Sequence, residues 1–293
     1  MSTLLERLRH ARENLTGRER KIASVLEAGY PHAGLESATA LGARVGASAA
    51  TVVRFAAKLG YAGYPDLQRE LRSEVEARLA TPLQRLEQAA QIQPRQAAAD
   101  GDVPTRTFEV AMAALTRSFG ALDRHTLDQI TLALTTCRGR ILISGEKKGR
   151  AVALYLYAQL NLCLPRVNLL TTDAGFEGDQ LLDLGPDDVF VAVDVRRYVR
   201  RGLAAADWAA SQGAKLIVLA DSTASPLYAI TTLRLCASTN SAGAFDSYIG
   251  LMLVADILSN LVVSRGPQAA RERISKGESV WEQLGVFGIN PNR

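Results

Sequence analysis

The sequence predicts an all-α helix-turn-helix domain followed by an α/β domain with a five-stranded parallel sheet flanked by helices. Two short amphipathic helices meet around a glycine within residues 38–57, and apolar residues keep helical spacing to residue 80. Beyond residue 106, short apolar runs alternate with helical stretches. The chain has 293 residues, 47% hydrophobic and 22% charged, long enough for two ordinary cores and too apolar for extended disorder.

In chain order, Thr16 stands as a helix N-cap and Glu19, three residues on, completes a capping box. Ile22, Val25 and Leu26 supply the apolar stripe of that helix, which ends near Gly29, Tyr30 and Pro31. Leu41 and Val45 then lie on the buried face of one short helix, and Val52 and Phe55 on that of the next. Gly46 takes the turn between them, where a left-handed backbone costs glycine least, and Gly42 is small enough for the second helix to cross closely. Ser48 caps the second helix. This spacing is that of a helix-turn-helix; the plainer alternative is an ordinary helix pair. After Gly60 the chain turns, and Leu67, Leu71, Val75 and Leu79 close a helical domain over residues 1–80.

Residues 81–105 predict a linker, because from Gln88 the sequence is mostly Ala, Gln, Asp, Gly and Pro. The α/β domain follows over 106–265. Apolar runs at 140–144, 167–170, 189–195, 215–220 and 233–237 suit buried strands, and stretches such as 148–163 and 200–212 suit the helices between them. Such a sheet binds ligands beyond the carboxyl ends of its strands. The tail, 266–293, offers Trp281 and Phe287 for packing but no assignable element.

Charge and cysteine usage narrow the function classes. Of a net charge of +4, residues 1–80 carry +3, with 12 Lys and Arg against 9 Asp and Glu, which suits a surface facing phosphates. Cys137, Cys163 and Cys236 are far apart in apolar surroundings and read as reduced thiols of a cytoplasmic protein. No metal-ligand spacing is present, so neither a metal nor a cofactor is expected. The N-terminus has no apolar signal core, and the longest apolar stretch, Leu251 to Val263, is broken by Asp256, Ser259 and Asn260, so no membrane partner is expected.

The exposed face of the second helix carries Ala49, Ala50, Val53, Arg54 and Ala57, which would face a major groove of a double-stranded DNA operator. Arg54 is the candidate for reading a base edge, its alternatives being a phosphate contact or an internal ion pair. Ser48, Thr51 and Lys58 would position the DNA backbone rather than specify sequence. Tyr61 and Tyr64 flank the following turn and suit core packing or a phosphate hydrogen bond. A lone helix-turn-helix reads few bases, so a homodimer or homotetramer is expected. Helix 244–263 has Ile249, Leu253, Ile257 and Leu261 at helical spacing, for subunit contact or core packing.

The strings LTGRERKIA, from Leu15, and SAATVVRFAAKLGYAGYPDL, from Ser48, resemble the RpiR (MurR/RpiR) family of bacterial transcriptional regulators. The α/β half is similar to that family's partner domain, the sugar isomerase (SIS) domain, at ISGEKKG, VFVAVDV and GAKLIVLADSTASPL. The resemblance spans roughly residues 1–265. It implies DNA binding by an oligomer and a phosphosugar-type effector in a SIS-like domain. The chain departs from the family where that effector binds. The loop after the first strand, usually Gly- and Ser-rich, is Gly145, Glu146, Lys147, Lys148, Gly149; the Ser-x-Ser-Gly-x-Thr cradle after the third is replaced by Asp194, Val195, Arg196, Arg197, Tyr198, Val199.

Two functions follow. The first is a transcriptional regulator whose SIS-like domain holds an anionic effector, a phosphosugar or organic acid, with Gly145, Lys147, Lys148, Asp194, Arg196, Arg197 and Ser222 as the binding set. Arginine grips phosphate or carboxylate with paired hydrogen bonds, so it can replace lost hydroxyls. The plainer reading is that Arg196, Arg197, Arg200 and Arg201 face solvent or pair with Asp194, Glu146 or Glu177. Ser222, Thr223 and Ser225 form a hydroxyl-rich turn equally suited to helix capping. The alternative function is a sugar-phosphate aldose-ketose isomerase with an accessory helical domain, which needs a general base. Glu177 is its one nominee, since His10, His32 and His125 precede the sheet.

Overall fold

The computed structural model describes residues 4–28, 32–79, 81–92, 102–171 and 175–287. The chain divides into two compact units, Met1–Ile92 and Gln93–Arg293. The first holds helices α1 (Leu4–Ala11), α2 (Gly17–Ala28), α3 (Ala38–Val45), α4 (Ala49–Lys58), α5 (Tyr64–Leu79) and α6 (Pro82–Ile92). Its core is built from Leu4, Leu8, Ile22, Leu26, Leu41, Val52, Phe55, Leu67 and Leu71, all essentially inaccessible. Apolar stripes of five helices therefore converge on one centre, which is how a short helical chain becomes stable.

The local rules at the helix-turn-helix hold. Thr16 and Glu19 exchange backbone and side-chain hydrogen bonds at 2.8 and 3.5 Å, forming the capping box of α2. Ser37 caps α3 by accepting the Ala40 N–H at 3.1 Å, and Ser48 caps α4 by accepting that of Thr51 at 3.2 Å. Gly46 is left-handed, with φ 66°. A Cβ on Gly42 would stand 2.6 Å from the Ala47 carbonyl oxygen, which explains why no larger residue fits there. Tyr61 and Tyr64 are buried; the Tyr64 hydroxyl donates to the carbonyls of Gly34 and Glu36 at 3.1 and 3.0 Å, and that of Tyr61 to Glu70 at 2.9 Å. Both side chains are therefore packing residues.

The expected linker is corrected over part of its length. Residues 82–92 are helical because Thr81 and Gln84 form a second capping box, with hydrogen bonds of 2.8 and 3.2 Å, and Pro82 takes the first helical position, where its missing N–H costs nothing. The second unit's first helix, α7 (Val103–Gly120), likewise begins before residue 106. The remainder, 93–101, lies outside the described residues.

The second unit continues with α8 (Arg124–Thr135), β1 (Ile141–Gly145), α9 (Gly149–Cys163), β2 (Val167–Leu169), α10 (Glu177–Leu181), β3 (Val189–Asp194), α11 (Arg200–Ser211), β4 (Lys215–Ala220), β5 (Arg234–Cys236), α12 (Ile249–Arg265) and α13 (Pro267–Leu284). The five strands are all parallel in the order β2-β1-β3-β4-β5. One face, with Ile143, Val191, Ile217 and Leu235, packs on α9 and α12; the other, with Leu142, Phe190, Leu216 and Val218, packs on Ala205, Ala206 and Ala209 of α11. Strand order reverses between β1 and β3, so a crevice opens where the chain leaves these two strands in opposite directions.

The helix expected over 244–263 begins only at Ile249, and its buried row is Leu251, Val254, Ala255, Leu258 and Val262. Ile249, Leu253, Ile257 and Leu261 are at most partly covered. The tail is corrected from an unassigned segment to α13, which buries Ala270 and packs on α9, where Arg273 donates to the Asn161 carbonyl at 2.7 Å. Its apolar residues are too sparse to mark a helix by periodicity. No single described helix is long and apolar enough to cross a membrane.

Candidate functional site

In the first unit, the buried row of α4 is Val52, Phe55 and Ala56, which turns the opposite side outward. Ala50, Val53, Arg54 and Ala57 are exposed there, beside half-covered Ala49 and Thr51. Ser48, Thr51 and Arg54 form a chain of hydrogen bonds up this edge: the two hydroxyls lie 2.9 Å apart, and Arg54 donates to the Thr51 hydroxyl at 3.4 Å. The guanidinium is therefore lightly held on an otherwise smooth face, with donors to spare for an acceptor outside the protein. Lys58 departs from the set. Its ammonium donates to the Asn14 carbonyl at 2.7 Å and to Glu19 at 2.8 Å, so it ties the end of α4 to the start of α2. Glu19 is partly buried, which opposes ionisation, but the Lys58 and Thr16 hydrogen bonds win and hold its carboxyl below the usual value.

In the second unit, the crevice between β1 and β3 is lined by Ser144, Gly145, Glu146, Asp194, Val195, Val199, Gly202 and Leu227. Its free volume is about 20 Å³, room for about one water. Gly145 is required: a Cβ on it would meet the Gly149 carbonyl at 2.6 Å and the Ala153 Cβ at 2.8 Å, so α9 rises directly from the end of β1. Asp194 is 7% exposed and accepts the Ser225 hydroxyl. Burial raises its carboxyl to about 6 despite that hydrogen bond, and the neighbouring Asp221 charge adds to the rise. Ser225 also accepts the Leu227 N–H at 3.2 Å, and Ser222 accepts that of Ala224 at 3.0 Å; both hydroxyls shape the turn after β4.

Of the expected effector set, the crevice wall holds only Gly145 and Asp194. The expected cations stand outside that wall: Arg196 turns its guanidinium to Asp246, while Arg197, Lys147 and Lys148 are exposed. Lys148 places its ammonium 4.5 Å from the Phe245 ring centre. Glu177, the nominated general base, pairs with Arg201 at 2.6 Å and is not part of the crevice wall. Asp246, Phe245 and Asp221 are signalled by no motif, because each reaches its partner only through the fold. Among the described residues, no three His, Cys, Asp or Glu side chains converge as a metal site would need.

Residues 2–78 match the model of the helix-turn-helix domain, rpiR family, and residues 134–260 that of the SIS domain. The chain joins an rpiR-family helix-turn-helix domain to a SIS domain. Solved structures similar to this chain include the sugar isomerase domain of an RpiR transcription factor from Sphaerobacter thermophilus, at 26% identity and TM-score 0.58, covering 60% of this chain and 98% of that one. The Vibrio vulnificus NanR protein, complexed with ManNAc-6P, aligns over 98% of this chain and 100% of its own at 20% identity and TM-score 0.56. At that identity the likeness to NanR shows the shared fold alone. No curated protein matches the chain.

Proposed function

We propose that this chain is a cytoplasmic DNA-binding transcriptional regulator, without catalytic activity, whose SIS domain senses an anionic small molecule. The outward face of α4 carries the reading. Ala49, Ala50 and Val53 leave it low enough to enter a major groove, Arg54 reaches a base edge, and Ser48 and Thr51 meet the flanking phosphates. The effector engages the cations at the crevice rim, Arg196 and Lys148 first, with Arg197 and Lys147 beside them. That NanR was solved with ManNAc-6P supports a phosphate-bearing or similarly anionic ligand. The pairing of Glu177 with Arg201 supports sensing over isomerisation, since it leaves the isomerase reading without its nominated base. Two helix-turn-helix units act together on a twofold site, so the working form is a homo-oligomer.

The test is titration of a fluorescent random-sequence duplex with the full chain across a series of salt concentrations. Binding whose logarithm falls linearly with that of salt is expected, from counterion release at phosphates. Absence of binding even at low salt overturns the reading.

A further inference from the structure

The segment between β5 and α12 leaves the sheet edge and returns to it. The Ser247 N–H donates to the Thr239 carbonyl at 3.1 Å, which pinches the ends of a loop whose sequence, Thr-Asn-Ser-Ala-Gly-Ala-Phe-Asp-Ser over 239–247, is small and polar except for one phenylalanine. Two adjacent residues of this loop meet the two cations of the crevice rim. Asp246 pairs with Arg196, and both side chains are largely withdrawn from water, at 15% and 13% exposure. The Phe245 ring, though 61% exposed, takes the Lys148 ammonium over its face. Arg196 follows β3 and Lys148 follows β1, so a single loop spans the switch point at which an open α/β sheet takes its ligand. The crevice between those two strands has a free volume of about 20 Å³, about that of one water.

We propose that loop 239–247 is a built-in competitor for the effector: the Asp246 carboxylate occupies Arg196 as an external anion would, and the effector binds by displacing it. This rests on the reading of the SIS domain as an anion sensor. A carboxylate and a phosphate present a guanidinium with the same pair of acceptor oxygens, so one can substitute for the other. While the loop is seated, the binding-competent fraction of the protein is small, and the apparent affinity for any anion falls by that fraction. Displacement frees Phe245 with Asp246, because the residues are neighbours on one strap. The device sets a threshold, so that only anions offering more than one carboxylate's contacts open the crevice.

The experiment uses the full chain, inorganic phosphate as the probe with chloride at equal ionic strength as control, and amide hydrogen exchange of residues 239–247 as the report on the loop. Asp246→Asn, which keeps the side chain's shape and removes its charge, is expected to speed exchange in the loop and to tighten phosphate binding about tenfold. Phe245→Ala, which leaves the ion pair intact, is expected to give a smaller change in the same direction. Phosphate is expected to speed loop exchange in the wild-type chain. Equal phosphate affinity in wild type and Asp246→Asn, lost in Arg196→Gln, overturns the competitor while keeping the anion sensor. Slow loop exchange in both Asp246→Asn and Phe245→Ala also overturns it. If none of the chains binds phosphate, the competitor and the anion reading fall together, and DNA binding stands apart from both.

Discussion

Lys58 Nζ, at the C-terminal end of α4, lies 2.8 Å from Glu19 Oε2, in the first turn of α2. The ion pair joins the last turn of the helix proposed to enter DNA to the capping box of the helix behind it, so it orients α4 from within the domain. Lys58→Ala is expected to lower the stability of the helical unit by less than about 1 kcal/mol, the usual worth of a partly exposed pair. Because the Glu19 carboxyl sits below its ordinary value, this contribution is present above the unfolded carboxylate range and disappears as pH falls through the folded value. Chemical denaturation of wild type and Lys58→Ala at neutral and acid pH checks both statements: the two curves should differ at neutral pH and converge in acid.

Gly42→Ala and Gly46→Ala separate two kinds of glycine. At position 46 the added methyl meets nothing within 4 Å but demands a left-handed backbone, a cost of about 1 kcal/mol. At position 42 the methyl runs into backbone of the turn, 2.6 Å from the Ala47 oxygen, and α3 and α4 must separate. Gly42→Ala is expected to destabilise the helical unit by roughly 1–3 kcal/mol, as overpacking does, and to weaken DNA binding with it. Thermal melts that rank Gly46→Ala as the more damaging would contradict this.

These features are legible in the sequence because they are local. Gly42, Gly46, Ser48 and the Thr16–Glu19 box each act within a few residues, and the strand runs of the second unit are apolar enough to be placed by composition. Helix α6 is hidden because its Ala- and Gln-rich composition outweighs the capping box at Thr81 and Gln84, a short signal with a definite mechanism. The arginines after β3 suggest an open anion grip, since nothing near them in the chain shows that Asp246, fifty residues on, claims Arg196. Lys58 likewise looks available to DNA in the sequence because Glu19 is thirty-nine residues away.

Asp194 gives the second unit a pH signature. Its folded value is raised to about 6 from an ordinary 3.8, so the native state binds the proton more tightly than the unfolded chain. Stability therefore falls as pH rises between these values, by on the order of 3 kcal/mol for an isolated group. Asn at this position still accepts the Ser225 hydroxyl but does not ionise. Asp194→Asn is expected to match wild type near pH 4 and to be the more stable protein at pH 7. Denaturation across this range in which Asp194→Asn is the less stable at pH 7 would refute the assignment.

On α7, Phe108, Met112 and Phe119 are 65%, 46% and 67% exposed and share one helical face with Leu115, turned away from the side that buries Ala114 and Ser118. Such a row suits contact with a second copy of the chain, in line with the proposed oligomer. Phe108→Asp with Met112→Asp is expected to shift the wild-type oligomer toward monomer in analytical ultracentrifugation at micromolar concentration, without lowering the melting temperature of the monomer. A monomeric wild type would remove the claim, as would an oligomer indifferent to both changes.

The central claim is that α4 reads DNA sequence through Arg54, and selection from a random duplex pool tests it most directly. Wild-type protein should enrich a twofold-related site whose half-site centres lie one helical turn, about 34 Å, or a multiple of it apart. On that enriched duplex Arg54→Ala should lose about 1–3 kcal/mol of binding, and markedly less on random sequence. Equal losses on both duplexes, or a wild-type pool that enriches no sequence, would contradict the account.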